Sequence, residues 1–176
     1  MARKPRIDVG GEFYHVINRA NARMKIFFSE SDYKLLEKIL LEGKYLFDMR
    51  ILSYCIMPNH FHLLLWPKND GDMQKFMRWI TLKHTQLWHK IHDTVGTGHL
   101  YQGRYKSFLI KDEKHLLTEM IYIERNPVRA KIAEKATGWA FSSAQYRIGT
   151  SNYLVSSSPI ALPHDYLDFV NDKTKN

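Results

Sequence analysis

The chain has 176 residues, of which 44% are hydrophobic and 25% charged, a balance that suits one compact domain with its own core. Its single cysteine, Cys55, rules out an intrachain disulfide and a Cys-rich zinc framework. Lys and Arg number 26 against 18 Asp and Glu, a formal charge of +8 and an isoelectric point near 9.5. The excess is uneven. Residues 151–176 hold two Lys against three Asp, and the other residues hold 24 basic against 15 acidic side chains, a net +9. A basic body favours a polyanion, with nucleic acid the first candidate and a merely basic soluble protein the plain alternative. The start, Ala2-Arg3-Lys4-Pro5-Arg6, leads into no apolar run of the signal-peptide kind, and no stretch approaches membrane-spanning length. The expectation is a cytoplasmic protein with no membrane partner.

After the Gly10-Gly11 break, Glu12 to Arg19 is aromatic and β-branched and predicts a first strand. Ser29 or Ser31 then caps a helix through about Glu42, where Leu35, Leu36, Ile39 and Leu40 fall at helical spacing and Gly43 is the expected stop. Met49 to Ile56 and His60 to Trp66 form a strand pair around a Pro58-Asn59 turn. Cys55 sits in the first of these as a small core residue. Asp70-Gly71-Asp72 opens a long helix to about His92, with Met73, Phe76, Met77, Ile80, Leu87 and Trp88 along one side. Gly96 to Gly103 is a loop, and Arg104 to Ile110 predicts a fourth strand. A third helix starts at Asp112 and is expected to end near Asn126, because Pro127 disfavours helix in the residue before it. The residues from Thr137 to Pro163 are polar and Ser-rich. The expected division is one domain over residues 1–150 and a C-terminal arm, in part disordered, over 151–176.

The order β-α-β-β-α-β predicts an α+β fold: a ferredoxin-like antiparallel sheet with an additional C-terminal helix that carries Tyr122. In that topology the first and third strands are central. The third strand carries His60-Phe61-His62. Side chains alternate along a strand, so the two imidazoles share a face about 7 Å apart, while Phe61, Leu63 and Leu65 point to the other face and the helices. Two imidazoles on a stiff strand are half a divalent-metal site, and the expected arrangement leaves their face free for chemistry. The third helix offers Tyr122 and Asn126, four residues apart and so on one helical face. Each feature has a plain reading on its own. His-x-His on a strand is more often structural, a helical tyrosine more often packs, and an asparagine before proline more often ends a helix. Their joint occurrence with basic charge favours a catalytic site.

The residues together resemble a family. The His60-Phe61-His62 strand, Tyr122 followed by Asn126-Pro127-Val128-Arg129-Ala130, and Gly98-His99-Leu100-Tyr101-Gln102-Gly103-Arg104-Tyr105 are similar to the REP-associated tyrosine transposases. These are a branch of the single-tyrosine HUH endonucleases (His, hydrophobe, His). Arg6-Ile7-Asp8, Phe13-Tyr14-His15-Val16, Asn18-Arg19-Ala20-Asn21, Asp32-Tyr33 and Phe141-Ser142-Ser143 extend the likeness over about residues 6–146. The chain departs from the family pattern at Gly10-Gly11 (usually Pro-Gly), Ala20 (usually Gly) and Phe141 (usually Trp), which bears on DNA specificity more than on chemistry.

The resemblance implies a DNA transposase or nuclease that cleaves and rejoins single-stranded hairpin DNA of the repetitive extragenic palindromic kind. Tyr122 would be the nucleophile and would form a 5′-phosphotyrosine. Mg²⁺ or Mn²⁺ would be held by His60, His62 and Asn126. A free phenol ionises near pH 10, so such a nucleophile needs help from a base or a metal; His15, His84, His99 and His115 are the candidates. DNA contacts are expected from Arg3, Lys4, Arg6, Arg19, Asn21, Arg23, Lys25, Gln102, Arg104, Lys106, Arg125 and Arg129, with Trp66, Tyr101 and Tyr105 as stacking platforms. His84, His89 and His92 do not share one helical face well and are read as solvated or near the DNA. The assembly is expected to be a monomer or a homodimer. Two rival readings differ in class: a nucleic-acid-binding module without catalysis on the same fold, and a metal-dependent hydrolase with no covalent intermediate.

Overall fold

Alternation along the strands gives the sheet two chemically different faces, and that division sets where the site lies. The computed structural model describes residues 7–149 and 153–172. Strands β1 (Tyr14–Arg19), β2 (Arg50–Met57), β3 (His60–Trp66) and β4 (Lys106–Leu109) form one sheet in the order β2-β3-β1-β4, with every pairing antiparallel. Helices α1 (Glu30–Leu46), α2 (Asp72–Ile91), α3 (Glu113–Arg129) and α4 (Tyr166–Asn171) complete the regular structure, joined by short 3₁₀ turns. This is the expected β-α-β-β-α-β arrangement with the tyrosine-bearing helix added, and β1 and β3 are central.

One face is the main core. Tyr14, Val16, Phe61, Leu63 and Leu65 pack on Leu36, Ile39 and Leu40 of α1 and on Met73, Phe76, Met77 and Ile80 of α2. Each such apolar side chain contributes about 1.5–3 kcal/mol by leaving water, which is why the strand register cannot slip by one residue. The opposite face carries His15, His60 and His62, and it is not wholly free. Leu52, Cys55, Met57 and Leu64 meet Leu116, Met120 and Ile123 of α3 there. The apolar stripe of α3 has to leave water, and β2 and β3 supply its partner. The open part of this face is therefore the half toward β1 and β4.

Local chemistry moved several boundaries. β1 and β4 are shorter than the sequence suggests, at Tyr14–Arg19 and Lys106–Leu109. Helix α1 begins with a capping box between Ser29 and Asp32 and runs past Gly43 to Leu46. Gly43 is a point of close approach and not a stop: a Cβ there would meet Ile80 Cγ2 and Phe76 Cε2 at 3.0 Å. Helix α3 does not end at Asn126 but continues through Pro127 to Arg129. Proline lacks the N–H that would bond the Ile123 carbonyl. The Asn126 side chain reaches back in its place, with Nδ2 donating to the carbonyls of Tyr122 (2.9 Å) and Ile123 (3.4 Å).

The polar segment after α3 is built into the body. The Phe141 carbonyl accepts from Ile56 N along β2, and Ser142 and Ser143 are buried. Tyr166 and Val170 of α4 are buried in the cluster under α3. A fully buried carboxylate, Glu124, ties these parts together. It accepts from Ser53, Ser143, Arg147 and Tyr166. No helix among the described residues is long and apolar enough to cross a membrane.

Candidate active site

Tyr122 stands on α3 over the central strands, more than a third exposed. Its ring meets two imidazoles edge-on, His62 of β3 with centroids 5.8 Å apart and His15 of β1 at 5.7 Å. His60 and His62 are 5.0 Å apart between ring centroids. Asn126 lies one helical turn beyond Tyr122, and the Arg129 guanidinium sits 4.9 Å from the centre of the tyrosine ring. All of these belong to the same chain. His60 and His62 thus share the face that Tyr122 meets through His62, and Asn126 is tied to the helix at Tyr122.

Two neighbours were not singled out as a pair in the sequence. His15 Nε2 lies 2.9 Å from His62 Nδ1. His15 Nδ1 lies 2.8 Å from Glu119 Oε2, within hydrogen-bond distance though off its ideal line. Glu119 also approaches His115 Nε2 at 3.4 Å. Glu119, which the sequence reading missed, is one turn before Tyr122 on the same helix face, and that helical spacing is the signal that could have found it. The carboxyl of Glu119 is held below its ordinary range, first by the contact with His15.

The donor set fits a divalent ion. A metal-ligating imidazole must be neutral. Burial, and then the charge of Arg19, lowers His60 to about 4. Burial, and then neighbouring His15, lowers His62 well below its ordinary value. Each ring has its Nδ1 in a hydrogen bond, His60 with Asn59 Oδ1 at 2.7 Å and His62 with His15, and this leaves Nε2 as the ligating atom. Among the described residues no group of three or more His, Cys, Asp or Glu is arranged to hold a metal. A third protein ligand would therefore be a neutral oxygen. Asn126 offers one, because its Nδ2 is turned back to the helix carbonyls.

The residues read as DNA contacts fall at different places. Arg19, Gln102, Arg104 and Lys106 line a groove of about 930 Å³ along β4, together with Phe108. Asn21 and Arg23 are exposed on the turn after β1. Arg129 stands at Tyr122. Arg125 does not face the site: it is buried, and its guanidinium donates to the Phe169 carbonyl of α4. Arg3, Lys4 and Arg6 lie outside the described residues.

The proposed stacking platforms are occupied otherwise. Tyr101 and Tyr105 are buried, and Trp66 has the Arg50 guanidinium 3.3 Å from its ring centre. Phe108, half exposed and 6.0 Å from His15 between centroids, is the open aromatic beside the site. Among the base candidates, His84 is buried against the Tyr101 hydroxyl at 2.7 Å, and His99 lines an adjoining groove that meets the first at Asn18, Arg104 and Tyr105. His15 has both nitrogens committed. His92 serves α1 by bonding Asp32.

Comparison with known proteins bears on family and fold. The family model described as "Transposase IS200 like" matches residues 10–126. A Haemophilus influenzae protein assigned as a REP-associated tyrosine transposase is 27% identical over 105 residues, spanning 55% of this chain and 60% of that relative. The solved structure of a REP-associated tyrosine transposase bound to a REP hairpin has the same fold, with a TM-score of 0.71 at 19% identity over 92% of this chain and 95% of the other. A Deinococcus radiodurans protein classed as a transposase matches with a TM-score of 0.50 at 19% identity, over 70% of this chain and 96% of the other. With more than half of its length matched by the family model, the chain belongs to the IS200-like transposase family.

Proposed function

We propose that the protein cleaves and rejoins single-stranded hairpin DNA by transesterification, with Tyr122 as the nucleophile. The observation that carries this reading is the edge contact of the exposed Tyr122 ring with His62 and His15 of its own chain. The Tyr122 Oη attacks a backbone phosphorus, an Oη–P bond forms and the P–O3′ bond breaks. The phenol gives up its proton to the water at its exposed edge, and the departing 3′ oxygen takes one up. The product is a 5′-phosphotyrosine and a free 3′-hydroxyl, and a 3′-hydroxyl from another strand end reverses the attack. The phosphodiester energy is kept in the covalent bond, so no nucleotide cofactor is required.

A divalent ion, Mg²⁺ or Mn²⁺, would be held by His60, His62 and Asn126 and would supply Lewis-acid polarisation of the scissile phosphate. Arg129, over the tyrosine ring, orients the phenol and offers positive charge to the phosphate. Arg19, Gln102, Arg104 and Lys106 take the DNA backbone along the β4 groove, and Phe108 stacks an unpaired base. The hairpin substrate rests on the likeness to a structure described as bound to a REP hairpin. One chain supplies the whole site, so a monomer suffices.

The test incubates the protein with single-stranded hairpin DNA and Mn²⁺ and separates the products on a denaturing gel. A covalent protein–DNA adduct is expected, absent in Tyr122→Phe and in the His60→Ala, His62→Ala double variant. Binding without an adduct would support the non-catalytic module. Cleavage that persists in Tyr122→Phe would point to a hydrolase.

A further inference from the structure

The two histidines carry hydrogen bonds that the proposed chemistry does not use. On β3, His62 Nδ1 lies 2.9 Å from His15 Nε2, and His15 Nδ1 lies 2.8 Å from Glu119 Oε2. At the strand's start, His60 Nδ1 lies 2.7 Å from Asn59 Oδ1, while Asn59 Nδ2 donates to the Arg23 carbonyl at 3.0 Å. The donor and acceptor inventory gives each chain a direction. A carboxylate only accepts, so His15 carries its proton on Nδ1. A neutral imidazole has one N–H, so His15 Nε2 accepts and His62 Nδ1 donates, leaving the lone pair of His62 Nε2 bare. A backbone carbonyl also only accepts, so Asn59 turns its NH₂ to Arg23 and its oxygen to His60. His60 Nδ1 then donates, and its Nε2 is bare as well.

The turn that supplies the Arg23 carbonyl is held in an uncommon shape. Ala22 and Arg23 have φ of 50° and 58°, in the left-handed region. That turn also holds the exposed Asn21 and Arg23, so Asn59 links the outer surface to a site histidine.

We propose that Glu119 with His15, and Asn59 anchored on the Arg23 carbonyl, are positioning residues that preset both site imidazoles with Nδ1 protonated and Nε2 bare. The consequence for metal binding rests on the function proposed above; the tautomers do not. With both Nε2 lone pairs already bare, an ion meets a formed pair of ligands and displaces no proton.

The experiment labels the histidines with ¹⁵N in the full-length, metal-free protein and reads each tautomer by long-range ¹H–¹⁵N correlation near pH 7.5. Mn²⁺ is then titrated by calorimetry. Bare Nε2 atoms are expected on His60 and His62 in the wild type. Glu119→Ala should mix the tautomers of His62 alone, and Asn59→Ala those of His60 alone. Each should weaken Mn²⁺ binding by about 10- to 100-fold. Asn59→Asp keeps an acceptor for His60 and should restore the tautomer. A proton on Nε2 of either histidine in the wild type overturns the proposal, as do tautomers that ignore both variants. A variant that fails to fold leaves the wild-type spectrum to decide. Bare Nε2 atoms without any Mn²⁺ binding by the wild type would uphold the presetting and sink the metal reading instead.

Discussion

Removing the Arg147 side chain would strand a charge in the middle of the protein. Glu124 is fully buried on α3, two residues from Tyr122, and among the described residues Arg147 is its one cationic partner, itself only 12% exposed. The guanidinium reaches Glu124 Oε1 through Nε at 3.1 Å and Nη2 at 2.9 Å, and it also donates to the Leu52 carbonyl at 2.8 Å. In Arg147→Met the carboxylate keeps only the neutral donors Ser53, Ser143 and Tyr166. Breaking a buried pair from one side costs about 3–5 kcal/mol, while replacing both members with well-fitting neutral groups is often close to neutral. A chain of this size loses about 2–4 °C per kcal/mol, so the melting temperature should fall by about 6–20 °C. The Glu124→Gln, Arg147→Met double variant should recover a large part of that loss. Urea denaturation and thermal melts of the single and double variants measure it. If Arg147→Met costs less than about 1 kcal/mol, or if the double variant is as unstable as the sum of the singles, the buried-charge argument is wrong. Adduct formation by Arg147→Met at a temperature well below its melt should persist, since the pair is buried and seats α3.

Acid should weaken the start of α1. Burial pushes the Asp32 carboxyl up, but hydrogen bonds from Ser29, Phe28 and His92 outweigh it and hold the group below its ordinary value. A depressed folded value means that the stabilisation is complete above the unfolded value near 4 and is lost as pH falls through the lower folded one. Melts should therefore show the wild type losing its advantage over Asp32→Asn below about pH 4, and an unchanged difference between pH 5 and pH 2 would refute the assignment. On the β4 groove, Lys106→Ala should weaken hairpin binding and lower the salt slope, the fall in log K per unit log salt, by about 0.7–0.9. An unchanged slope would place the phosphates elsewhere. Lys34→Ala on α1, beyond the opposite face of the sheet, is the control and should change neither.

Local periodicity reached a long way in this chain. The two-residue repeat put His60 and His62 on one face and Phe61, Leu63 and Leu65 on the other, and four-residue spacing joined Tyr122 to Asn126. Both rules act within one element, so they are readable before the chain is folded. The same locality misled at two points. Gly43 and Pro127 have helix-breaking chemistry, but α2 packs tightly on the first, and the Asn126 side chain repairs the second. The first partner is far away in sequence; the second is the adjacent residue, but the direction its side chain takes is set only in the folded helix.

What the sequence determined by itself was therefore the order of elements, the shared face of the histidines and the tyrosine helix that follows. What only the tertiary structure decided was the company these residues keep. His15 and His62 are 47 positions apart and Ser53 and Glu124 are 71 apart, yet each pair is in hydrogen-bond contact. Arg125 looked like a DNA contact and is instead turned into the body against α4. The cause is the drive of α3 to bury its apolar stripe on β2 and β3. That single packing event covers half of the sheet's second face, turns Arg125 inward, brings Glu119 to His15 and lays Tyr122 beside the histidines. No spacing rule along the chain encodes a contact made by two surfaces that meet only when the chain has folded.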